Sequence, residues 1–229
     1  MVKGVAMESS RPIRARNAKE KHQRRQDILS SAARLWETIP YASLSMNQVA
    51  REARLAKGTL YLYYDTKEEL FLALLVNHMQ DWFDEIGTRL RGHPPRSPDD
   101  LTSLLLEVTE QQVALRRLMT LLNGVLNRNV KPEVTQQFRM LVYRHIQELS
   151  AHLGLDPGVT FRVLSHLYAL TIGWHYVSEP GSVMYQEQLS DSLPYRRPQF
   201  AQEVGLALRP VVRHLLEGHW PPEPNTPDV

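Results

Sequence analysis

The 229-residue sequence predicts an all-α fold, with short helices at the N-terminus, one long helix, and a C-terminal helical bundle. Three observations predict this fold. Apolar residues recur at three- and four-residue steps along most of the chain, which is the spacing of a helix face. No segment alternates polar and apolar residues as a half-buried strand does. Clusters of proline and glycine separate the periodic segments and mark their ends.

Composition limits the class of protein. Hydrophobic residues make up 42% of the chain and charged residues 23%, which are the proportions of a globular protein. The absence of cysteine excludes disulfides and thiolate metal sites. No apolar run has the length of a membrane span or of a secretory signal core. We therefore expect a cytoplasmic protein with no membrane partner.

Charge is distributed unevenly along the chain. The net charge is only +2, yet residues 1–70 contain 13 Lys and Arg against 8 Asp and Glu. Most of this excess lies in the stretch RPIRARNAKEKHQRR, residues 11–25. A basic N-terminal part on a mildly acidic remainder indicates a polyanionic partner, although such a run is also typical of a solvated arm.

We expect residues 1–18 to form a disordered basic arm, in which Met7 is an alternative start. The first helix is predicted from Lys19, because apolar residues follow at helical spacing, and Pro40 ends it. The apolar stripe of this helix consists of Ile28, Ala32, Leu35, Trp36 and Ile39.

Two short helices follow the first. Ser45 and Gln48 have the spacing of a capping box and predict the start of the second helix. A turn at residues 54–56 leads to the third. There Leu60 and Tyr64 are four residues apart, so they share a face that we expect to point into the core.

A long helix is predicted over residues 66–90, because Thr66 and Glu69 form a second capping box before a broad apolar face. The remaining pattern predicts a proline-rich loop over residues 179–198. It also predicts helices near residues 98–113, 114–128, 132–153, 158–178 and 199–217.

Two short helices joined by a tight turn, behind a packing helix and a basic arm, form a helix-turn-helix. The stretch LSMNQVAREARLAKGTLYLYYDTKEELFLALL, Leu44–Leu75, resembles the DNA-binding signature of the TetR family of transcriptional repressors. The resemblance spans roughly residues 22–90. It implies a helix-turn-helix DNA-binding domain over residues 19–66 and a helical ligand-binding and dimerisation domain over residues 67–218. Gly218 and the proline-rich stretch PPEPNTPDV predict a disordered tail over residues 219–229.

The resemblance assigns DNA contacts to the helix-turn-helix. Ser45 would cap the second helix and contact phosphate, and Lys67 would pair with phosphate from the start of the long helix. The opening residues of the third helix would face the major groove. Tyr61 and Tyr63 would contact the DNA backbone, and Leu62 would meet a thymine methyl group. The predicted DNA-binding residues are Ser45, Arg54, Lys57, Gly58, Thr59, Tyr61, Leu62, Tyr63 and Lys67.

Two positions depart from the family pattern. Arg54 occupies the turn position where the family usually has glycine, and Ala56 replaces the usual serine cap of the third helix. A positive φ at Arg54 would be strained, and the lost cap costs about 0.5–2 kcal/mol. Packing of Leu55 and Leu60 would offset both losses, or Arg54 adds a phosphate contact. The sequence leaves both interpretations open.

The resemblance also implies a homodimer through the last two helices and a small-molecule effector in the C-terminal bundle. Val159–Val177 is apolar on more than one face, as a helix between core and partner would be. Pro210 is expected to kink the last helix, and a charge at Leu215 is expected to separate or unfold the subunits. A thick monomeric core is the alternative.

Rings, soft side chains and polar groups occur in otherwise apolar helices of the bundle. Such a mixture suits an apolar cavity with a few orienting hydrogen bonds, although each residue also suits an ordinary core. The predicted ligand-binding residues are Trp82, Met119, Asn123, Tyr168, Thr171, Trp174 and His175.

No catalytic residue, cofactor or metal ligand is predicted. The chain lacks GxSxG, phosphate-loop and dinucleotide-binding motifs. Two histidine pairs, His145/His152 and His166/His175, have no evident third ligand.

These patterns and the resemblance predict a ligand-responsive transcriptional repressor. It would bind a palindromic operator of double-stranded DNA as a dimer and be released by a small-molecule effector. One alternative is a DNA-binding protein without an effector, which a filled bundle core would favour. The other is an enzyme that uses its helix-turn-helix for docking.

Overall fold

The computed structural model describes residues 13–126, 129–178 and 199–220, and of residues 13–18 and Asn123 it describes the backbone alone. Every regular element in these residues is helical, which confirms the predicted all-α fold. The chain divides into two compact units between Leu74 and Leu75, inside the long helix. The predicted loop over residues 179–198, residues 1–12 of the arm and residues 221–229 of the tail lie outside the described residues.

The first unit begins with a helix that is longer than predicted. This helix starts at Ile13 rather than Lys19, so residues 13–18 are helical and not part of a disordered arm. The apolar stripe starts only at Ile28, whereas the Arg, Ala and Lys of the preceding segment favour a helix by intrinsic propensity. The unit consists of α1 (Ile13–Thr38), a 3-10 turn (Tyr41–Ser43), α2 (Met46–Glu52), α3 (Lys57–Tyr61) and the beginning of α4 (Lys67–Gly92).

The core of the first unit joins α1 and α3 to the beginning of α4. Ile28, Leu60 and Phe71 are fully buried. The rings of Trp36 and Tyr41 meet the ring of Phe71 edge-on, with centroid distances of 5.7 and 4.9 Å. Edge-to-face ring pairs of this kind add to the stabilisation from apolar burial. They fix the end of α1 and the 3-10 turn against α4.

A partly buried hydrogen bond supports the same corner of the unit. The hydroxyl of Tyr41 donates to Oε1 of Glu68 at 3.0 Å. Burial raises the pKa of Tyr41 well above its ordinary value, and the Glu68 carboxylate raises it further. The phenol therefore stays protonated and keeps donating to Glu68 throughout the physiological pH range.

The second unit continues α4 from Leu75 and adds five helices in the described residues. Helix α5 (Pro98–Gln111) ends earlier than expected, where Nη1 of Arg116 donates to the carbonyl of Glu110 at 2.8 Å. That bond satisfies a carbonyl at the helix end. The helices are α5 (Pro98–Gln111), α6 (Val113–Leu121), which continues into a π-helical turn (Leu122–Leu126), α7 (Pro132–Leu153), α8 (Pro157–Ser178) and α9 (Phe200–Leu216).

Helix α9 packs against α5 and α8. Leu208 and Val212 are fully buried in this contact. At its edge, Nε of Arg213 lies 2.7 Å from Oδ1 of Asp99, and this hydrogen-bonded pairing lowers the pKa of Asp99. Pro210 lies inside α9 on its exposed side, and the helix continues through it.

Leu215 belongs to the core of its own subunit. Its side chain is only 6% exposed within the single chain. A charge at this position would therefore destabilise the subunit itself, because an unpaired buried carboxylate is costly. Leu215 is consequently a poor position at which to test a subunit contact, contrary to the expectation from the apolar pattern of the last helix.

Candidate DNA-binding surface and ligand cavity

The turn between α2 and α3 is built around Arg54. Its φ of 55° lies in the left-handed region. The N–H of Arg54 donates to the carbonyl of Arg51 at 3.0 Å, and the N–H of Leu55 donates to the carbonyl of Ala50 at 2.8 Å. These two bonds form a Schellman motif, which glycine usually completes. The backbone strain considered for Arg54 is therefore present, and its side chain is exposed.

The two helix starts of the motif differ in their capping. Oγ of Ser45 accepts a hydrogen bond from the N–H of Gln48 at 3.4 Å, and Oε1 of Gln48 accepts from the N–H of Ser45 at 2.8 Å. This confirms the predicted capping box at α2. Ala56 provides no side-chain hydrogen bond at the start of α3. Helix α3 therefore depends on the packing of Leu60 for its position.

Helix α3 and the residues after it divide their side chains between core and surface. Leu60 is fully buried and Tyr64 is 3% exposed, which confirms that these two residues face the core. Leu62 is 79% exposed and Tyr61 is 39% exposed, while Tyr63 is half-buried. A large apolar side chain exposed at the end of a short helix, beside a partly exposed ring, indicates a contact surface.

The start of α3 is open to another molecule. Lys57 is exposed, and its Nζ lies 5.8 Å from the centroid of the Tyr61 ring. A Cβ added to Gly58 would meet no heavy atom within 4 Å, so packing inside the chain does not require glycine there. Thr59 is half-buried. Groups that contact DNA phosphates and base edges include cations, hydroxyls, phenols and exposed backbone amides.

Lys67 has a structural role that its sequence position did not reveal. Its Nζ donates to the carbonyl oxygens of Tyr41 at 2.8 Å and Leu44 at 2.9 Å. The same atom lies 4.1 Å from the centroid of the Tyr41 ring. Two of the three ammonium N–H groups of Lys67 therefore donate within the unit. One N–H group is left for a phosphate.

The second unit contains an apolar cavity of about 210 Å³, lined by residues from α4 to α8. Four of the predicted ligand-binding residues, on three different helices, line it together. Sequence reasoning missed most of the apolar lining, such as Phe138 and Val142 on α7, because such residues look like ordinary core. The four predicted residues in the wall are Trp82, Met119, Tyr168 and Thr171.

The other predicted ligand-binding residues are not part of this wall. The lining face of α8 runs through Leu164, Tyr168 and Thr171 and ends there. Trp174 and His175 follow one turn later, half-buried and buried respectively, so they pack beyond the end of the cavity. The side chain of Asn123 lies outside the described residues.

Most polar groups of the wall are satisfied within the protein. Nε1 of Trp82 donates to Oγ1 of Thr109 at 3.1 Å, and that hydroxyl donates to the carbonyl of Leu105 at 2.6 Å. Oγ of Ser165 donates to a backbone carbonyl of its own helix at 2.7 Å. Oγ1 of Thr171 is buried and has no hydrogen-bond partner in the part of the chain that the structure describes. Thr171, a lining residue, thus has a buried hydroxyl that is not satisfied within the described residues.

A second cavity, of about 350 Å³, adjoins the first between α4 and α7. Its wall combines apolar residues with charged ones, among them Asp84, Arg91 and Glu148. Phe83 lines both cavities, and its ring stacks on that of His145 with 4.6 Å between centroids and 10° between planes. The Phe83–His145 pair therefore forms part of the partition between an apolar and a polar cavity.

Two further properties concern the described residues only. Within them, no three His, Cys, Asp or Glu side chains lie close enough together to hold a metal ion. None of the helices in residues 13–126, 129–178 and 199–220 has both the length and the apolar character needed to cross a bilayer.

Two family models match the chain. One, described as bacterial regulatory proteins of the tetR family, matches residues 28–74. The other, described as the tetracyclin repressor-like C-terminal domain, matches residues 76–218. The interval between the two matches falls at Leu75, where the second structural unit begins.

The chain is also similar to individual proteins. The HTH-type transcriptional regulator HbdR of Aromatoleum sp. (strain CIB) is 31% identical over 74 residues, which are 31% of this chain and 32% of HbdR. The chain spans less than half the length of the curated relatives it matches.

Two solved structures show the shared fold. A TetR transcriptional regulator from Rhodococcus sp. RHA1 has a TM-score of 0.57 at 17% identity, over 86% of this chain and 97% of that chain. Thermus thermophilus FadR in complex with lauroyl-CoA has a TM-score of 0.53 at 20% identity, over 90% of this chain and 100% of that chain.

Proposed function

Because the chain belongs to the TetR family of bacterial regulatory proteins, which are DNA-binding transcriptional regulators and not enzymes, we propose that it is a ligand-responsive repressor. It binds a palindromic operator as a homodimer and is released by a small-molecule effector. The observation that carries this proposal is the double role of α4. Its first residues belong to the DNA-binding unit, and Leu75, Met79 and Trp82 further along it line the apolar cavity.

Helix α3 is the recognition helix in this proposal. The 79% exposure of Leu62 supports it, because packing inside the chain does not account for a large apolar side chain in solvent, and the partly exposed Tyr61 lies beside it. The open space above Gly58 lets a DNA backbone or base edge approach closely. Phosphates are contacted from around the recognition helix by Ser45, Arg54, Lys57, Tyr63 and Lys67.

The effector acts on α4 from the cavity. A ligand shifts an equilibrium only by its differential affinity for two arrangements. A molecule in the cavity touches α4 directly, so a change in the position of α4 changes the contacts that the ligand makes. The arrangement that the ligand favours holds the two DNA-binding units of the dimer at a spacing that does not fit the operator.

The homodimer forms through the outer faces of α8 and α9. Tyr176 is 57% exposed and Leu206 is 66% exposed in the single chain. Ala169 and Gly173 share the exposed face of α8 with Tyr176 at four- and three-residue steps, and their small side chains allow a partner helix to approach closely. A twofold contact of these faces would cover the exposed apolar residues of both subunits.

The cavity also weighs against a DNA-binding protein without an effector. That alternative requires a filled core in the C-terminal unit, since close packing is the ordinary state of a protein interior. A void of about 210 Å³ beside an unsatisfied hydroxyl is instead typical of a ligand site.

Selection from a pool of random DNA duplexes tests the proposal. We expect the bound sequences to converge on a palindrome whose half-sites are about one helical turn apart, roughly 34–36 Å, or a small multiple of it. Fluorescence anisotropy with the selected duplex then measures release by candidate small molecules. Failure of the pool to converge, or convergence on a single asymmetric half-site, would contradict the proposed dimeric repressor.

A further inference from the structure

The wall of the apolar cavity excludes charged ligands. Its lining consists of aliphatic and aromatic residues, such as Met79 and Phe138, with a few hydroxyls. Among the lining residues that the structure describes, there is no Asp, Glu, Lys, Arg or His. An ion that entered would lose its hydration without meeting an opposite charge, and such a transfer is strongly unfavourable.

One position in the wall is prepared for a hydrogen bond. Thr171 is 1% exposed, and its hydroxyl has no partner in the described residues. Buried polar groups of folded proteins nearly always have a partner, so a lone hydroxyl at a cavity wall indicates that a ligand completes it. Thr109 and Ser165, which also line the cavity, already use their hydroxyl groups within the protein.

The volume limits the size of the ligand. A cavity of roughly 150 Å³ lined by aliphatic and aromatic side chains binds benzene. The cavity here, about 210 Å³, is larger than that and smaller than the sites that hold drug-sized molecules. It therefore fits a molecule with one ring and a short substituent.

We propose that the effector is a small, uncharged, mainly apolar molecule with one oxygen that hydrogen-bonds to Oγ1 of Thr171, such as an aryl ketone, alcohol or ether. This inference rests on the proposed function, because it names the ligand class of the cavity that releases the operator. It excludes carboxylates, quaternary ammonium cations and phosphate-bearing molecules from this cavity.

Four probes of nearly equal size separate these classes. Propiophenone is neutral and has one oxygen, propylbenzene lacks the oxygen, phenyltrimethylammonium is a cation, and 3-phenylpropionate is an anion. Isothermal titration calorimetry with the full-length protein measures each dissociation constant. We expect propiophenone to bind roughly tenfold more tightly than propylbenzene, which is the net effect of one hydrogen bond. The two ions should bind at least about a hundredfold more weakly than propiophenone.

Variants of Thr171 test the anchoring hydroxyl. Thr171→Val removes the hydroxyl and keeps the shape, so propiophenone should bind it no more tightly than propylbenzene does. Thr171→Ser keeps the hydroxyl and should retain the preference for the ketone. Ser165→Ala is the matched control, because it removes a lining hydroxyl that already donates to a backbone carbonyl, and it should leave the preference unchanged. Circular dichroism verifies that each variant is folded.

The outcomes separate the ligand class from the function. Binding of either ion as tightly as the ketone, a ketone preference that survives in Thr171→Val, loss of that preference in Thr171→Ser, or no binding of any neutral probe would overturn the ligand class. Operator release is measured independently by anisotropy. Neutral probes that bind through Thr171 without releasing DNA would contradict the proposed repressor function and leave the ligand class intact, whereas release by the ions alone would do the reverse.

Discussion

Nζ of Lys67 lies 2.8 Å from the carbonyl oxygen of Tyr41, so the cation that we propose as a phosphate contact also holds the turn between α1 and α2. The carbonyl of Leu44 accepts from the same ammonium group. The residue that would contact DNA is therefore also one that positions the unit presenting α3.

The first prediction separates these two roles of Lys67. Lys67→Ala should lower the free energy of unfolding by about 1–3 kcal/mol, because two carbonyls lose a charged donor. It should also weaken binding to all duplexes alike and reduce the salt dependence by about one phosphate contact. Thermal denaturation and anisotropy at several salt concentrations measure the two effects.

Lys57→Ala is the matched control for Lys67. Lys57 is exposed and lies at the start of α3, so its loss should change the salt dependence by about one contact and leave the melting temperature almost unaffected. Equal melting temperatures for the two variants would show that the bonds from Lys67 to the turn contribute no stability.

The second prediction concerns the strained turn. Arg54→Gly should raise the free energy of unfolding by about 1 kcal/mol, because glycine adopts a φ of 55° without strain. If Arg54 contacts a phosphate, the same variant should bind DNA more weakly and show a lower salt dependence. Arg54→Lys keeps both the charge and the strain and is the control. A glycine variant with unchanged stability would remove the strain argument, and one with unchanged salt dependence would remove the contact.

The third prediction assigns base recognition to Leu62. Its side chain is 79% exposed, so Leu62→Ala should leave the melting temperature unchanged. The variant should lose preference at one base pair of each half-site, since an apolar side chain at that position would contact a thymine methyl group. Anisotropy with a set of singly substituted operators measures this preference. An equal loss of affinity for operator and scrambled duplex would indicate a backbone contact instead.

The fourth prediction places the subunit contact. Leu206→Glu should convert the dimer to a folded monomer in analytical ultracentrifugation, because the side chain is exposed in the subunit and covered in the proposed dimer. The monomer should lose most specific binding and keep a weak, salt-sensitive attraction to any duplex. Met140→Glu, on α7, has a similar 65% exposure and should stay dimeric.

Leu215→Glu provides the contrasting case on the same helix. Since Leu215 is buried within the subunit, we expect this variant to lose several kcal/mol of stability, about 3 or more, and to unfold cooperatively at lower temperature. A Leu206→Glu protein that remains dimeric with intact operator binding would move the contact away from α9.

The parts of the fold that depend on local patterns were predictable from the sequence. Leu60 and Tyr64 were assigned to the core from their four-residue spacing, and both are buried. The capping box of Ser45 and Gln48 was recognised from residue types three positions apart, and its hydrogen bonds are formed. Such features involve neighbours along the chain, so spacing alone carries the information.

Features that depend on distant neighbours were not predictable in the same way. The carbonyls that accept from Lys67 belong to residues 41 and 44, and nothing in the spacing indicates that they converge on its ammonium group. The point on α8 where the cavity ends, after Thr171, also depends on how several helices pack together. Helical periodicity alone could therefore not show that Trp174 and His175 lie outside the lining. The start of α1 was missed because charged residues form a helix there without an apolar stripe.

If the apolar cavity holds the effector, the stacked Phe83–His145 pair makes the length of the effector depend on a single position. Replacing Phe83 with alanine would open the apolar cavity towards the polar one. A longer amphiphile could then extend its polar end towards Nε2 of His145, which is buried without a hydrogen-bond partner in the described residues. Under the proposed function, we expect two proteins that differ only at residue 83 to respond to effectors of different length at the same operator, which is what a paired biosensor requires.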